Sequence, residues 1–189
     1  EPIERRLAGA TQVAVNRAEG LDFAAALRGV LRHDPDVVAI GEVRDAETAA
    51  IALSAGLSGH LVLASLHAEG PLTALERLVH LAVDRAQLVT VLSAVLSQRL
   101  IRLSCRPCDG AECARCGGSG TAGRTGLFSL FRLDAPLRRR LLAREVDLAG
   151  EGDRLEDLVR QGRARVAEGQ SPACELARVL PAAIDEVAG

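Results

Sequence analysis

Short apolar runs alternate with helix-length amphipathic stretches along most of the chain. Residues 11–16 (TQVAVN) alternate polar and apolar side chains and predict a short strand. Asp22 is placed to cap a helix running to about Arg32, with Phe23, Leu27, Val30 and Leu31 on one face. Asp34-Pro35 breaks it, because a residue before proline avoids the helical region. Residues 37–40 (VVAI) form an apolar, β-branched run of the kind expected of a fully buried parallel strand. Asp45 then caps a predicted helix over 46–57, Gly59 turns the chain, and 61–65 (LVLAS) predicts a second buried strand. Pro71 suits the first position of a helix reaching about Leu81, and a further helix is predicted over 85–96. Residues 98–103 alternate again, and 127–133 predict another strand. Helices are expected over 135–144, 155–168 and 172–180, the last with Ser171 as its cap.

Strands alternating with helices predict an α/β fold with a mostly parallel sheet. Only residues 104–126, rich in Gly and Cys, break the alternation. Three regions follow: 1–103, the loop 104–126, and a strand with a helical subdomain over 127–189.

Composition sharpens this picture. Of 189 residues 48% are apolar and only 2% aromatic, so any core is built from Leu, Val, Ala and Ile. Basic and acidic residues nearly cancel, 23 against 25, which argues against a nucleic-acid partner. The Arg138-Arg139-Arg140 run then reads as a solvated helix face. Every basic residue other than histidine is arginine. No lysine is therefore available to bind phosphate or form a Schiff base. No apolar run is long enough to span a bilayer, so membrane contact is expected through partners. The chain opens on Glu1 with no initiator Met, which reads as a fragment.

Three motifs carry chemistry. In the first, the apolar run 37–40 is followed by Gly41-Glu42-Val43-Arg44. Ligands of open α/β sheets bind at the carboxyl ends of strands. There Gly41 would let the backbone approach a ligand, and the Glu42 carboxylate could orient water or help hold Mg²⁺. A surface acid paired with Arg44 fits the same pattern. In the second, His60 and His67 bracket the strand 61–65. Their odd separation puts them on opposite faces of an extended segment. His67 would lie beside Glu42 if the two strands are neighbours, where it could meet a terminal phosphate. A histidine satisfied by backbone groups at a strand end is the alternative. The third is Cys105-x2-Cys108-x4-Cys113-x2-Cys116. Each C-x2-C has the spacing of a thiolate knuckle, and two would complete a closed structural Zn²⁺ site; free thiols or redox pairs are the alternative. Gly110, Gly117, Gly118 and Gly120 supply tight turns around it. The spacer between the pairs is short, which raises the question of whether all four sulfurs reach one ion. Cys174 is expected to be a small buried apolar residue.

In this order the motifs resemble the type II secretion and type IV pilus assembly ATPase family over nearly the whole chain. Glu1-Pro2-Ile3-Glu4 is similar to the end of that family's acidic box. Residues 23–32, Asp34-Pro35-Asp36 and 41–45 resemble its Walker B region, and Gly59-His60-Leu61-Val62-Leu63 with Ser65-Leu66-His67 its histidine box. Gln98-Arg99-Leu100, the paired cysteines and Gly123-Arg124-Thr125-Gly126 are similar to its metal-binding segment. The resemblance implies a RecA-like P-loop NTPase core in a cytoplasmic homo-hexamer. ATP and Mg²⁺ would bind between subunits and drive an inner-membrane platform protein. It assigns Glu42 as the Walker B carboxylate, Glu4 as the acidic-box glutamate, His67 and His60 as the histidines of the nucleotide site, and Cys105, Cys108, Cys113 and Cys116 as Zn²⁺ ligands.

Three departures stand out. The lysine-bearing phosphate loop is absent, Glu1 replaces the family's usual Asp, and the Cys spacer is short. Without that loop the backbone N–H cradle for the phosphates is missing. The chain alone is expected not to hydrolyse ATP, whereas a longer parent should. A non-catalytic, zinc-stapled oligomerisation or adaptor module is the competing expectation.

Overall fold

The structure, a computed structural model, describes residues 3, 5–16, 20–81, 84–108, 113–143, 145 and 156–181. Glu1, Pro2, Glu4 and Gly110 lie outside the described residues, as do Arg144 and Leu155 at the ends of predicted helices. The chain divides into two compact units: Glu1–Ala68, Leu72–Ser93 and Leu133–Glu151 form the first, and Glu69–Pro71, Ala94–Arg132 and Gly152–Gly189 the second.

The first unit is built from α1 (Phe23–Leu31), β1 (Val37–Ile40), α2 (Ala46–Leu57), β2 (Leu61–Ala64), α3 (Pro71–His80), α4 (Arg85–Val91) and α5 (Ala135–Leu142). Aspartates start four of these helices. Asp22, Asp45, Asp84 and Asp134 each accept from the backbone N–H three residues on, at 2.7 to 2.9 Å. Each cap satisfies a donor the helix leaves free, worth about 1 kcal/mol. β1 and β2 pair in parallel, Val37 opposite Leu61 and Ile40 opposite Ala64.

The pairing agrees with the sequence; the burial does not. Val38 and Ile40 are buried, but Val37 is 52% exposed, and Leu61 and Leu63 are 56% and 55% exposed. Among the described residues this sheet has two strands only. One row of β1 is covered, while β2 is left open. The strand expected over 11–16 is also absent. Without a neighbour to pair with, that segment makes a single bridge, Asn16 to Leu21.

Helix α4 is shorter than its apolar pattern predicts. Leu92 is already extended (φ −65, ψ 117), and Ala94 enters the second unit's hairpin opposite Arg132. Strand pairing outcompetes the last helical turn. The freed carbonyls are taken by Arg138 rather than by solvent. Its guanidinium donates to Val89 O, to Thr90 O at 3.2 Å and to Leu92 O at 2.8 Å, and its Nε donates to Leu133 O at 3.0 Å. Arg138 thus departs from the solvated face expected of the arginine run. It caps a helix C-terminus, where a cation is also favoured by the dipole.

The second unit is a long antiparallel hairpin, β3 (Ala94–Ser104) and β4 (Thr121–Arg132), with α6 (Glu156–Ala167) and α7 (Ala173–Val179) packed on it. β4 starts at Thr121, so the tail of the predicted loop is strand and the cysteine insertion is only the hairpin's tip. Ile101 and Leu127 on the inner face join Leu158, Leu176 and Leu180 in one core cluster. Gly162 lets α6 come close: a Cβ there would stand 2.3 Å from Leu176 Cδ1 and 3.4 Å from Leu127 Cδ1. Helix α7 presents Glu175 and Leu176 to the hairpin, which leaves Cys174 exposed instead of buried. Ser171 does not cap α7 either. Pro172 is the N-cap, and the Ser171 hydroxyl donates to Arg102 O at 2.8 Å.

Leu158 is fully enclosed in this cluster. Leu158→Ala should lower unfolding free energy by about 2–5 kcal/mol in a urea titration followed by circular dichroism. A loss below about 1 kcal/mol would show that this cluster is not the core of the unit.

Candidate functional site

The parallel register of β1 and β2 brings their carboxyl ends side by side. Ser65, just past β2, clasps the segment just past β1. Its N–H donates to Ile40 O at 3.2 Å, its hydroxyl to Gly41 O, and its carbonyl accepts from Val43 N at 3.0 Å. Val43 is buried beneath. The sequence placed this serine at the end of the strand and in the histidine box but gave it no role.

The clasp sets Glu42 next to His67. His67 Nε2 lies 3.2 Å from Glu42 Oε1, and Arg44 Nε lies 2.6 Å from Glu42 Oε2. The Glu42 side chain is 12% exposed and that of His67 82%. The carboxylate is therefore held from both sides at a site that opens to solvent. Such exposed pairing contributes little to stability, at most about 1 kcal/mol. Its consequence is orientation: an acceptor fixed at the carboxyl edge of a parallel pair, where ligands of this fold class bind. A Cβ added at Gly41 would meet nothing within 4 Å, so the space above its backbone is open.

Of the residues picked from sequence, Glu42, Arg44 and His67 come together, with Gly41 between them and β1. His60 stays apart. It precedes β2 at the opposite end of the strand, its Nδ1 3.0 Å from Ala55 O, a histidine satisfied by the backbone. Glu4 lies outside the described residues.

A second site stands at the tip of the β3–β4 hairpin. The Cys105, Cys108, Cys113 and Cys116 sulfurs all lie within 4.8 Å of one another. Two repeated turns set them there: Cys108 N donates to Cys105 O and Cys116 N to Cys113 O, both at 3.2 Å. Gly117, Gly118 and Gly120 follow with φ of 56°, 81° and 65°, values that favour glycine. Cys105 N donates to Gly120 O at 2.9 Å and closes the tip. Neighbouring sulfurs are 3.6 Å (Cys105–Cys113) and 3.7 Å (Cys108–Cys116 and Cys113–Cys116) apart. A tetrahedral ion with metal–sulfur bonds of ~2.3 Å would set its sulfurs about 3.8 Å apart. The donor set fits a thiophilic metal despite the short spacer.

The four thiols are electrostatically unequal. Burial pushes Cys105 up and Cys108 up to about 12, while backbone hydrogen bonds, that at Cys113 foremost, hold Cys116 down to about 6. Without a cation, several thiolates so close together would repel.

A family model described as Type II/IV secretion system protein matches residues 1–179. The chain belongs to this family.

Among its curated relatives, the chain is 50% identical over 108 residues to type II secretion system protein E of Klebsiella pneumoniae, a match covering 57% of this chain and 22% of that one. It is 44% identical over 108 residues to the type IV pilus assembly ATPase PilB of Pseudomonas aeruginosa, covering 57% and 19%. The chain spans about a fifth of the length of these relatives. Among solved structures, the Yersinia pseudotuberculosis ATPase DotB superposes with a TM-score of 0.64 at 21% identity, covering 84% of this chain and 40% of that one. The fold of this family member is RecA-like, an α/β core joined to the cysteine-tipped hairpin and its helices.

The unequal thiols predict an order of reaction. At pH 7 a thiol held near 6 is mostly thiolate, whereas one near 12 is fully protonated. In metal-free protein, iodoacetamide should modify Cys116 before Cys108, read by peptide mass mapping. Equal rates would contradict the electrostatic asymmetry.

Proposed function

We propose that this chain is the water-activating and zinc-bearing part of a hexameric ATPase that drives type II secretion or type IV pilus assembly. In this reading ATP binds between subunits, and its hydrolysis moves an inner-membrane platform protein. The motor is cytoplasmic and reaches the membrane through its partners. No helix among the described residues is long and apolar enough to cross a bilayer.

The observation that carries the reading is the Glu42–His67 pair at the carboxyl edge of β1 and β2, 3.2 Å apart. Bound ATP with Mg²⁺ would supply the phosphoryl group to be transferred. Glu42 would orient the attacking water and accept its proton as the water adds to the terminal phosphoryl group and ADP leaves, or would help hold Mg²⁺. Arg44, its Nε 2.6 Å from Glu42 Oε2, keeps the carboxylate aimed. His67, largely exposed, reaches the terminal phosphate, and Gly41 leaves its backbone open to the nucleotide. Glu4 is assigned to the nucleotide site by its motif alone. His60 stands at the far end of β2 with its Nδ1 bonded to Ala55 O, and its part in the nucleotide site rests on its motif alone. Cys105, Cys108, Cys113 and Cys116 hold a structural Zn²⁺ with no position open for catalysis.

The phosphate cradle needs a lysine that this chain lacks. The whole protein is therefore the catalyst, and the 189-residue chain alone should not turn over ATP. Glu42→Gln in the whole protein should lower ATP turnover by about 10²- to 10⁴-fold. Binding of a fluorescent ATP analogue should be retained. Turnover at the wild-type rate would remove Glu42 from the chemistry. A wild-type whole protein that never hydrolyses ATP would favour the adaptor alternative.

A further inference from the structure

The stretch of β3 that leads into the metal loop is held along its outer edge by the turn between α6 and α7. Three hydrogen bonds do this. Arg102 N donates to Glu175 Oε1 at 3.0 Å, Ser171 Oγ donates to Arg102 O at 2.8 Å, and Ser104 N donates to Gln170 O at 2.9 Å. Residues 170–175 thus supply what a third strand would supply, to the residues immediately before Cys105. On the other edge the ladder with β4 loses register between Arg102 and Ser104. At this point β3 is bonded on one edge to residues 170–175 and shifts register on the other.

Glu175 is an unusual choice for such a contact. It is buried, and burying a carboxylate costs several kcal/mol unless it is paired. Arg178 pairs it in two-pronged fashion, Nε to Oε2 at 2.9 Å and Nη2 to Oε1 at 2.6 Å. Glu175 Oε1 is therefore shared between the Arg178 guanidinium and the Arg102 backbone. An apolar residue could dock α7 on the hairpin. It could not fix where the Arg102 N–H stands along the strand. A buried, directional acceptor can.

Cys105 follows three residues later, fully buried, its sulfur 3.6 Å from that of Cys113. Metal–ligand distances tolerate only about ±0.2 Å. A strand end free to slide could not meet that tolerance at its first cysteine. We propose that Glu175 and Ser171 are positioning residues for the four-cysteine site, holding the end of β3 in place so that metal binding and the docking of α7 are coupled. Coupling is reciprocal. A loaded site stabilises α7 against β3, and an undocked α7 weakens metal binding. The inference rests on the metal-binding reading of the cysteines given above.

Competition against a chromophoric chelator, with Zn²⁺ as the metal and the 189-residue chain as the protein, measures the affinity. Glu175→Ala should weaken Zn²⁺ binding about 10- to 100-fold, the range seen when outer-shell partners of metal ligands are removed. Glu175→Gln keeps an acceptor for Arg102 N and should recover most of the loss. Hydrogen exchange supplies a readout that helix docking by itself would not move. In the unsubstituted chain, Zn²⁺ should slow exchange at Arg102, Ser104 and along α7. Wild-type affinity in a folded Glu175→Ala protein would overturn the coupling. So would α7 exchange indifferent to Zn²⁺, a result that decides the matter even if Glu175→Ala fails to fold. If the unsubstituted chain takes up no Zn²⁺ at all, the metal reading itself fails, and the coupling with it.

Discussion

Parallel pairing in step is the constraint on which the nucleotide-type site depends. β1 and β2 are four residues each and end level with one another. Everything past their ends inherits that register. Had β2 slipped by one residue, its side chains would have changed faces and His67 would have left Glu42. Ser65 guards against the slip. Its main chain continues the ladder beyond the last paired residues while its hydroxyl ties down Gly41 O. The pair needs no deep burial of its charges, because backbone bonds fix the two segments that carry them.

In the second unit the same logic applies with different means. A two-stranded hairpin has two bare edges, and isolated hairpins are marginal in water. Here α6, α7 and the turn between them bond one residue on each edge. Gln161 bonds both main-chain groups of Phe128 on β4, accepting from its N–H at 3.1 Å and donating to its carbonyl. Ser171 and Glu175 do the same for Arg102 on β3. Between these clamps the apolar cluster of Ile101, Leu127, Leu158, Leu176 and Leu180 closes the unit. The cysteine tip projects from a base that is already satisfied.

Local chemistry was legible in the residues; partner geometry was not. The aspartates before α1 and α2 announced two helix starts, those before α4 and α5 cap in the same way without having been singled out, and the paired cysteines announced a cluster whose sulfurs do converge. Glu42 and His67 were legible only as a conditional, since their meeting required the two strands to be neighbours. Apolar runs misled where they stood for burial. Leu61 and Leu63 read as buried but face outward, because burial depends on what covers a strand and not on its composition. The end of α4 was set by Arg132, some forty residues away, whose strand pairing a periodic pattern cannot encode. Arg138 looked like one of three equivalent arginines until its four carbonyl partners distinguished it.

The clamped hairpin has a topological consequence. On its outer face Leu96, Leu100, Phe128 and Leu130 are exposed. An incoming strand on either side would collide part-way along, with the Gln161 amide at Phe128 or with α7 at Arg102. Among the described residues the sheet has two strands, and main-chain pairing is blocked at these two points. Whatever approaches this face must lie flat upon it, side chain against side chain, without borrowing a main-chain ladder.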